Sequence, residues 1–331
     1  MATGTKIQTL TIVAGTMVCN AKCPDCVSQM TTGENFKKYL GFPGVEWENL
    51  GIAANIAIAG GATTVLFTGK GEPTVFPEQI YQYLLFFQDE KYDQLAIMEI
   101  QTNGLLFQED DFLKKDGWLQ KWYKSGLRVI SLSIVDVVDE ENRAFLTPDR
   151  PVYPSLKKTI EILHGFGFTV RLNLTMTRKN IHTIDGIDRV VDFCLENQVE
   201  QLSIRPVRRP YLLNSDSEQA KNVYAWVGEN QLNTDNEKAI SDFFASDRRV
   251  RLLRNLVHGA RVFDYRGQNL CLTDCLTGTQ DEGDVEEVRQ LIFYSGGMIS
   301  YDWSSLAANI IGWGPDARKF VESLGASEGI L

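Results

Sequence analysis

Short apolar runs rich in β-branched residues recur through the first two thirds of the chain: Thr9 to Ala14, Thr63 to Thr68, Ala96 to Gln101, Arg128 to Ile134, Thr169 to Thr175 and Glu200 to Arg205. Each has the length and composition of a β-strand. Between them lie segments of helical length and period, such as Glu78 to Phe87 and Leu156 to His164, the latter with Gly165 as its predicted stop. Strand alternating with helix six times predicts a parallel sheet built from right-handed crossovers. Six such units fit a partial barrel or an open α/β sheet, and in either the ligand site is expected at the carboxyl ends of the strands. After about residue 210 the rhythm breaks. A polar helical region runs from Asn230 to Asp247, Cys271 and Cys275 follow, LIFYSGGMISYDW reads as a hairpin turning at Gly296 and Gly297, and a short helix ends the chain. The predicted organisation is a core over 1–210 and an extension over 211–331 that caps the barrel. Beyond the strand–helix alternation the sequence holds no internal repeat.

Composition narrows the class. A chain of 331 residues with 44% hydrophobic and 23% charged residues has enough apolar side chains for a large core, which excludes a disordered chain. Apolar stretches such as Ile52 to Ala59 are far too short to span a bilayer, and MATGTKIQTLTIVAG has no basic region before its apolar run. A cytoplasmic protein with no membrane partner is expected. A net charge of −10 argues against wholesale binding to nucleic acid. Two local basic clusters stand against that trend: Arg205, Arg208 and Arg209, and then Arg248, Arg249, Arg251 and Arg254. Such clusters are solvated or internally paired faces more often than anion sites.

Half of the six cysteines fall within Cys19-Asn-Ala-Lys-Cys23-Pro-Asp-Cys26, in the loop expected after the first strand. A disulfide is disfavoured in a cytosolic setting. A closed zinc site needs four ligands, and none of His164, His182 and His258 lies near in sequence. A [4Fe-4S] cube has four irons anchored through thiolates, so three local thiolates leave one iron open to a ligand.

The CxxxCxxC spacing in that position resembles the radical S-adenosylmethionine (SAM) superfamily. The resemblance implies a partial (β/α)6 barrel of the radical SAM type. It also implies a [4Fe-4S] cluster on Cys19, Cys23 and Cys26 whose open iron chelates SAM. An electron from the cluster would then cleave SAM to methionine and a 5′-deoxyadenosyl radical that abstracts hydrogen from a substrate. A reductant such as flavodoxin or ferredoxin is implied as a partner. Companion segments follow in order. Thr68-Gly-Lys-Gly-Glu-Pro-Thr74 resembles the family's GGEP segment, with Lys70 as a departure. Its glycines Gly69 and Gly71 would let backbone approach the SAM ammonium, with Glu72 as the nearby anion. Gln101-Thr102-Asn103-Gly104 is similar to the family's TNG turn near SAM. Three more residues resemble positions of the molybdenum-cofactor cyclase and viperin-like branch: Ser133 facing the SAM ribose, Arg150 pairing with the SAM carboxylate, and Asn173 at the ribose or methionine end.

The remaining cysteines leave the reaction open. Cys194 sits in a helical segment and is expected to be a small buried hydrophobe. Cys271 and Cys275 are candidates for a hydrogen-atom donor, for a structural pair, or for an auxiliary cluster that Cys194, Tyr301, Asp302 or substrate would have to complete. The leading expectation is a radical SAM enzyme acting on an anionic small molecule such as a nucleotide or sugar derivative. The alternatives are a peptide maturase or epimerase using Cys271 or Cys275, and a non-catalytic metal-binding protein.

Overall fold

The computed structural model describes residues 6–210, 213, 215–256, 259–273, 287–303 and 305–327. Six strands occupy the predicted stretches: β1 (Lys6–Val13), β2 (Thr64–Thr68), β3 (Ile97–Thr102), β4 (Leu127–Ile134), β5 (Thr169–Met176) and β6 (Gln201–Pro206). Six more follow: β7 (Val250–Asn255), β8 (Arg261–Tyr265), β9 (Gln268–Leu272), β10 (Glu287–Tyr294), β11 (Ile299–Ser300) and β12 (Asn309–Ile311). Among the described residues they form one sheet in the order β12-β11-β10-β1-β2-β3-β4-β5-β6-β9-β8-β7. Every ladder from β10 through β1 to β6 and on to β9 is parallel. The outer ladders at both ends are antiparallel. The sheet does not close on itself, so the partial barrel is the architecture observed. Beyond residue 210, β9 joins β6 while β10 joins β1, so the C-terminal part lengthens the sheet at both ends.

Register separates two chemically different faces. Ile130, Val170, Leu132, Leu172, Leu202 and Leu270 align in rows across β4, β5, β6 and β9. They join one core with helix residues such as Leu50, Leu84, Trp122, Leu163 and Val190. This face is sealed by helices, whose apolar stripes supply the dominant driving force for the fold. The alternate residues point to the other, inner face, and there the rows are polar: Gln101, Ser131, Arg171, Gln201 and Asn269 in one, and Ser133, Asn173, Ser203 and Cys271 in the next. Arg171 bridges the first row, donating from Nη1 to Glu99 at 2.5 Å and from Nε to Gln201 Oε1 at 2.7 Å. That partner offsets the cost of burying Glu99, whose carboxyl is still held above its ordinary range by burial.

The helix Leu156–Phe166 runs past the predicted stop at Gly165 and ends at Gly167, whose φ of 93° is the left-handed conformation that closes a helix. Gly165 has open space around it and remains inside the helix, so the stop signal was correct in kind and two residues early in position. After β6, the helix Glu218–Asn230 brings Val223 and Val227 over Met30 of the short helix Val27–Thr31, which starts directly after Cys26. The predicted hairpin is present: Gly297 N–H donates to the Tyr294 carbonyl at 2.7 Å, and Gly297 has a φ of 90°. Glu46 Oε1 accepts from Asp316 N and Ala317 N at 2.8 and 3.0 Å, capping the last helix, Pro315–Ser327. Among the described residues no helix is long and apolar enough to cross a membrane.

Candidate functional site

The cysteine loop leaves the carboxyl end of β1 and is fastened on three sides. Gly71 N donates to the Thr16 carbonyl at 3.1 Å and Glu72 N to the Val18 carbonyl at 3.0 Å, tying it to the loop after β2. Lys22 N donates to the Leu146 carbonyl at 2.7 Å and its ammonium pairs with Asp149, tying it to the loop after the helix Asp139–Leu146. Asn103 Nδ2 donates to Asn20 Oδ1 at 2.7 Å, tying it to the turn after β3. The reason for glycine at 71 is steric: a Cβ there would lie 2.1 Å from the Val18 carbonyl oxygen. At Gly69 it would lie 2.8 Å from the Gly71 carbonyl oxygen.

Glu72 is the knot. Its Oε1 accepts from Thr74 N at 2.9 Å, Thr74 Oγ1 at 2.7 Å and Thr102 Oγ1 at 2.6 Å, and its Oε2 accepts from Asn103 N at 2.9 Å. Burial holds the carboxyl above its ordinary range while those donors pull it down. Thr102 in turn accepts from Gly104 N at 3.0 Å, and Asn103 Oδ1 from Leu105 N at 3.1 Å, so the TNG turn is locked around the carboxylate.

Cys19 is exposed, whereas Cys23 and Cys26 are half-buried. Partial desolvation raises the Cys19 thiol, with Glu72 and Cys26 adding to it. Burial pushes Cys23 well up, helped by Asp25 and by the other two cysteines, and raises Cys26. Their mutual influence places the three thiols within electrostatic reach of one another. Among the described residues no group of three His, Cys, Asp or Glu side chains converges on a point as a single metal ion requires. Three cysteines in one loop are the type of donor that anchors an iron–sulfur cluster. Orphaned polar atoms support a ligand on this side of the sheet: Asn20 Nδ2, Ser131 Oγ and Tyr294 Oη are buried without a hydrogen bond. The side chains of Ser133, Asn173 and Ser203, half-buried in one row, make none among the described residues. The donor set and the unpaired row therefore fit a cluster with a polar ligand beside it.

Of the remaining predicted residues, Arg150 is exposed in the loop that grips Lys22, with its carbonyl accepting from Arg143 Nη1 at 2.8 Å. Cys271 lies on the inner face, level with Ser203, Asn173 and Ser133. Cys275 lies outside the described residues. Cys194 is fully buried in the helix-side core, across the sheet from Cys271, so it cannot complete an auxiliary cluster with that residue. The first arginine cluster is committed internally. Arg205 pulls electrostatically on the half-buried Asp25 of the cysteine loop, Arg208 pairs with Glu237 at 3.0 Å, and Arg209 donates to the Tyr224 carbonyl at 3.0 Å. In the second, Arg249 pairs with Asp247 and Arg251 with Asp264, each at 3.0 Å. Arg208, Arg209, Arg249 and Arg251 thus have partners within the chain.

Motif reading missed several residues. Asn20 went unnoticed inside the cysteine motif, and Asp25 gave no hint that the distant Arg205 would come within electrostatic reach of it, because contacts made only on folding leave no local trace. Lys70 was seen only as a departure from a pattern. It is buried, with its Nζ 5.1 Å from the centroid of the Trp303 ring, and burial lowers its amine to about 8 against the pull of Cys26 and Asp302.

Several solved structures share this architecture. Streptococcus suis SuiB bound to S-adenosylmethionine aligns with a TM-score of 0.55 and 15% identity over 97% of this chain and 66% of that one. SuiB bound to precursor peptide SuiA gives 0.53 and 15% over 97% and 64%. The chain has the radical SAM fold. A third match with this fold, anSMEcpe with bound AdoMet, gives 0.50 and 13% over 91% of this chain and 75% of that one. The chain spans just under two thirds of the SuiB chain. No family model and no curated protein matches the sequence. At these identities the radical SAM fold is what the likeness carries, and the chemistry must come from the residues.

One reactivity follows from the cysteine environments. Burial pushes the Cys194 thiol up to about 12, so its thiolate is scarce at neutral pH, whereas Cys19 is open to solvent. Iodoacetamide applied to the folded apoprotein at pH 8 is expected to label Cys19 and leave Cys194 unmodified until denaturant is added. Peptide mapping by mass spectrometry checks it, and labelling of Cys194 in the folded chain would contradict the packing described.

Proposed function

We propose that the chain is a radical SAM enzyme. The observation that carries this reading is the coincidence of three thiols in the loop after β1 with a row of half-buried polar side chains, free of hydrogen bonds, on the inner face of β4 to β6. Cys19, Cys23 and Cys26 would hold a [4Fe-4S] cluster with one open iron for SAM. When bound, these groups supply an electron and a 5′-deoxyadenosyl radical. The chain's own task is to bind, orient and exclude water. Ser133 and Asn173, with free hydrogen-bonding capacity, suit the ribose or methionine end of SAM. Arg150 would take the carboxylate by a bidentate grip. Gly69 and Gly71 shape the backbone toward the SAM ammonium, and Glu72, held by Thr102 and Asn103, fixes the distance between that backbone and the turn after β3. The set of Ser133, Arg150 and Asn173 supports placement near the molybdenum-cofactor cyclase and viperin-like branch. A flavodoxin or ferredoxin of the cytoplasm would deliver the electron.

The substrate is proposed to be a polar small molecule. Its support is the inner layer of Gln101, Ser131, Arg171 and Gln201 beneath the SAM row, not the arginine clusters. Within that layer Ser131 Oγ is buried and unpaired. A second reading, a peptide substrate, is favoured by Cys271, which lies level with Ser133 and Asn173 where a hydrogen-atom donor would be useful. The precursor peptide bound by SuiB is consistent with it. The test is an anaerobic assay of the reconstituted, dithionite-reduced protein. Formation of 5′-deoxyadenosine and methionine from SAM is expected. A fully loaded cluster that leaves SAM intact would overturn the enzyme reading in favour of a metal-binding protein.

A further inference from the structure

Lys70 is a buried ammonium without an acceptor. It is 6% exposed, and among the described residues it donates no hydrogen bond and closes no ion pair. Its position is imposed by the backbone on either side. Ala14 N donates to the Thr68 carbonyl at 2.8 Å, and Gly71 and Glu72 are bonded to Thr16 and Val18, so the residue is clamped beside the chain that leads into Cys19. One side of the ammonium lies over the Trp303 ring at 5.1 Å, with Trp303 itself packed among Val13, Tyr294 and Trp313. The charged or titratable groups within electrostatic reach are Cys26 of the cysteine loop and Asp302, whose Oδ1 accepts from Ser305 N at 2.7 Å. Taking an ammonium out of water costs more than one aromatic face returns. Tyr294, packed against Trp303, likewise has its Oη buried without a hydrogen bond, and an anion would complete the arrangement.

We propose that Lys70 is the counter-charge of the iron–sulfur cluster held by Cys19, Cys23 and Cys26, and that it raises the reduction potential of that cluster. This rests on the reading of those cysteines as cluster ligands given above. On reduction, one electron passes from an external low-potential donor to the cluster, no bond forms or breaks, and the negative charge beside Lys70 grows by one unit. A fixed ammonium in a poorly hydrated setting therefore stabilises the reduced form more than the oxidised form. Lys70 stands between Gly69 and Gly71, at both of which a Cβ would collide with neighbouring backbone, so the loop that carries the charge is packed tightly against the cysteine loop. Lys70 is a positioning residue in this account, acting through the cluster rather than on the substrate.

The test uses the full chain, reconstituted anaerobically as wild type, Lys70→Met and Lys70→Arg, with iron counted in each. Midpoint potentials are then measured by mediated titration followed by electron paramagnetic resonance, without SAM. At a fixed poise Lys70→Met is expected to show a reduced-to-oxidised ratio about tenfold below wild type, which for a one-electron couple is about 59 mV. Lys70→Arg, which keeps the charge, is expected to stay within about twofold, or about 18 mV on the same scale. Loss of iron in Lys70→Met with retention in Lys70→Arg would also support a counter-charge. An unchanged potential in a fully loaded Lys70→Met protein, or loss of iron in both variants, would overturn the proposal while leaving the cluster reading intact. A wild type that takes up no four-iron cluster would overturn the cluster reading itself, and this proposal with it.

Discussion

Replacing Cys19, Cys23 and Cys26 together with alanine is expected to remove the bound iron and bring 5′-deoxyadenosine formation down to background, with the fold kept. The thiols lie in a loop, one exposed and two half-buried, and none belongs to the main core. The loop is fastened chiefly by its backbone and by Asn20 and Lys22, with Cys19 Sγ accepting from Ala21 N at 3.4 Å and Cys23 packed beside Phe145 and Leu146. Truncating three such side chains costs far less than emptying a core site, roughly 1–2 kcal/mol in total. Circular dichroism melting should therefore change by only a few degrees. A variant that keeps its iron and cleaves SAM would show that the ligands lie elsewhere. A variant that unfolds would show that the thiols serve packing.

The largest stability effect is expected at Glu72. Glu72→Ala removes the acceptor of Thr74 N, Thr74 Oγ1, Thr102 Oγ1 and Asn103 N in one step, the first three of these bonds being buried and the last part-buried. Buried donors left without partners cost about 1–3 kcal/mol each, partly relieved where a hydroxyl can turn, so a loss of about 3–5 kcal/mol is expected. That is a large share of the roughly 5–15 kcal/mol that holds a typical domain together. Glu72→Gln keeps one acceptor oxygen but faces Asn103 N with an amide donor, and a loss of about 1–2 kcal/mol is expected. The pH dependence has a definite sign. Because burial raises the folded-state pKa of Glu72, the folded chain binds more protons than the unfolded one between the ordinary glutamate value and the raised one. Wild-type stability relative to Glu72→Gln should fall as pH rises through that window and stay flat above it. Urea unfolding of the three proteins from pH 4 to pH 8 measures both effects. Equal stability of wild type and Glu72→Ala would contradict the role of Glu72 as the tie between the two loops.

Much of the fold was legible because its signals are local. Six apolar strand runs and the helices between them are written in period and length, and the strands appear within a few residues of their predicted ends. The hairpin around Gly297 announced itself by two glycines between apolar runs. The destinations of the late strands were not legible. Nothing in Gln268 to Leu272 or in Glu287 to Tyr294 says that one will lie beside β6 and the other beside β1, since partner choice in a parallel sheet is decided by tertiary packing. The same division holds in the site. Cysteine spacing and strand-end positions are visible in one dimension. The carboxylate knot at Glu72, the electrostatic reach of Arg205 to Asp25 and the burial of Lys70 against Trp303 arise only when distant loops meet. The ion pairs that Arg208, Arg249 and Arg251 make with Glu237, Asp247 and Asp264 are likewise invisible until the chain is folded.

The most direct test of the central claim, that Cys19, Cys23 and Cys26 hold a cluster with one open iron, is to count iron and sulfide in the anaerobically reconstituted chain and record the spectrum of the reduced protein before and after adding SAM. About four irons and four sulfides per chain are expected, with an electron paramagnetic resonance signal that shifts when SAM binds. Zinc in place of iron, or a four-iron cluster whose signal ignores SAM, would contradict the account.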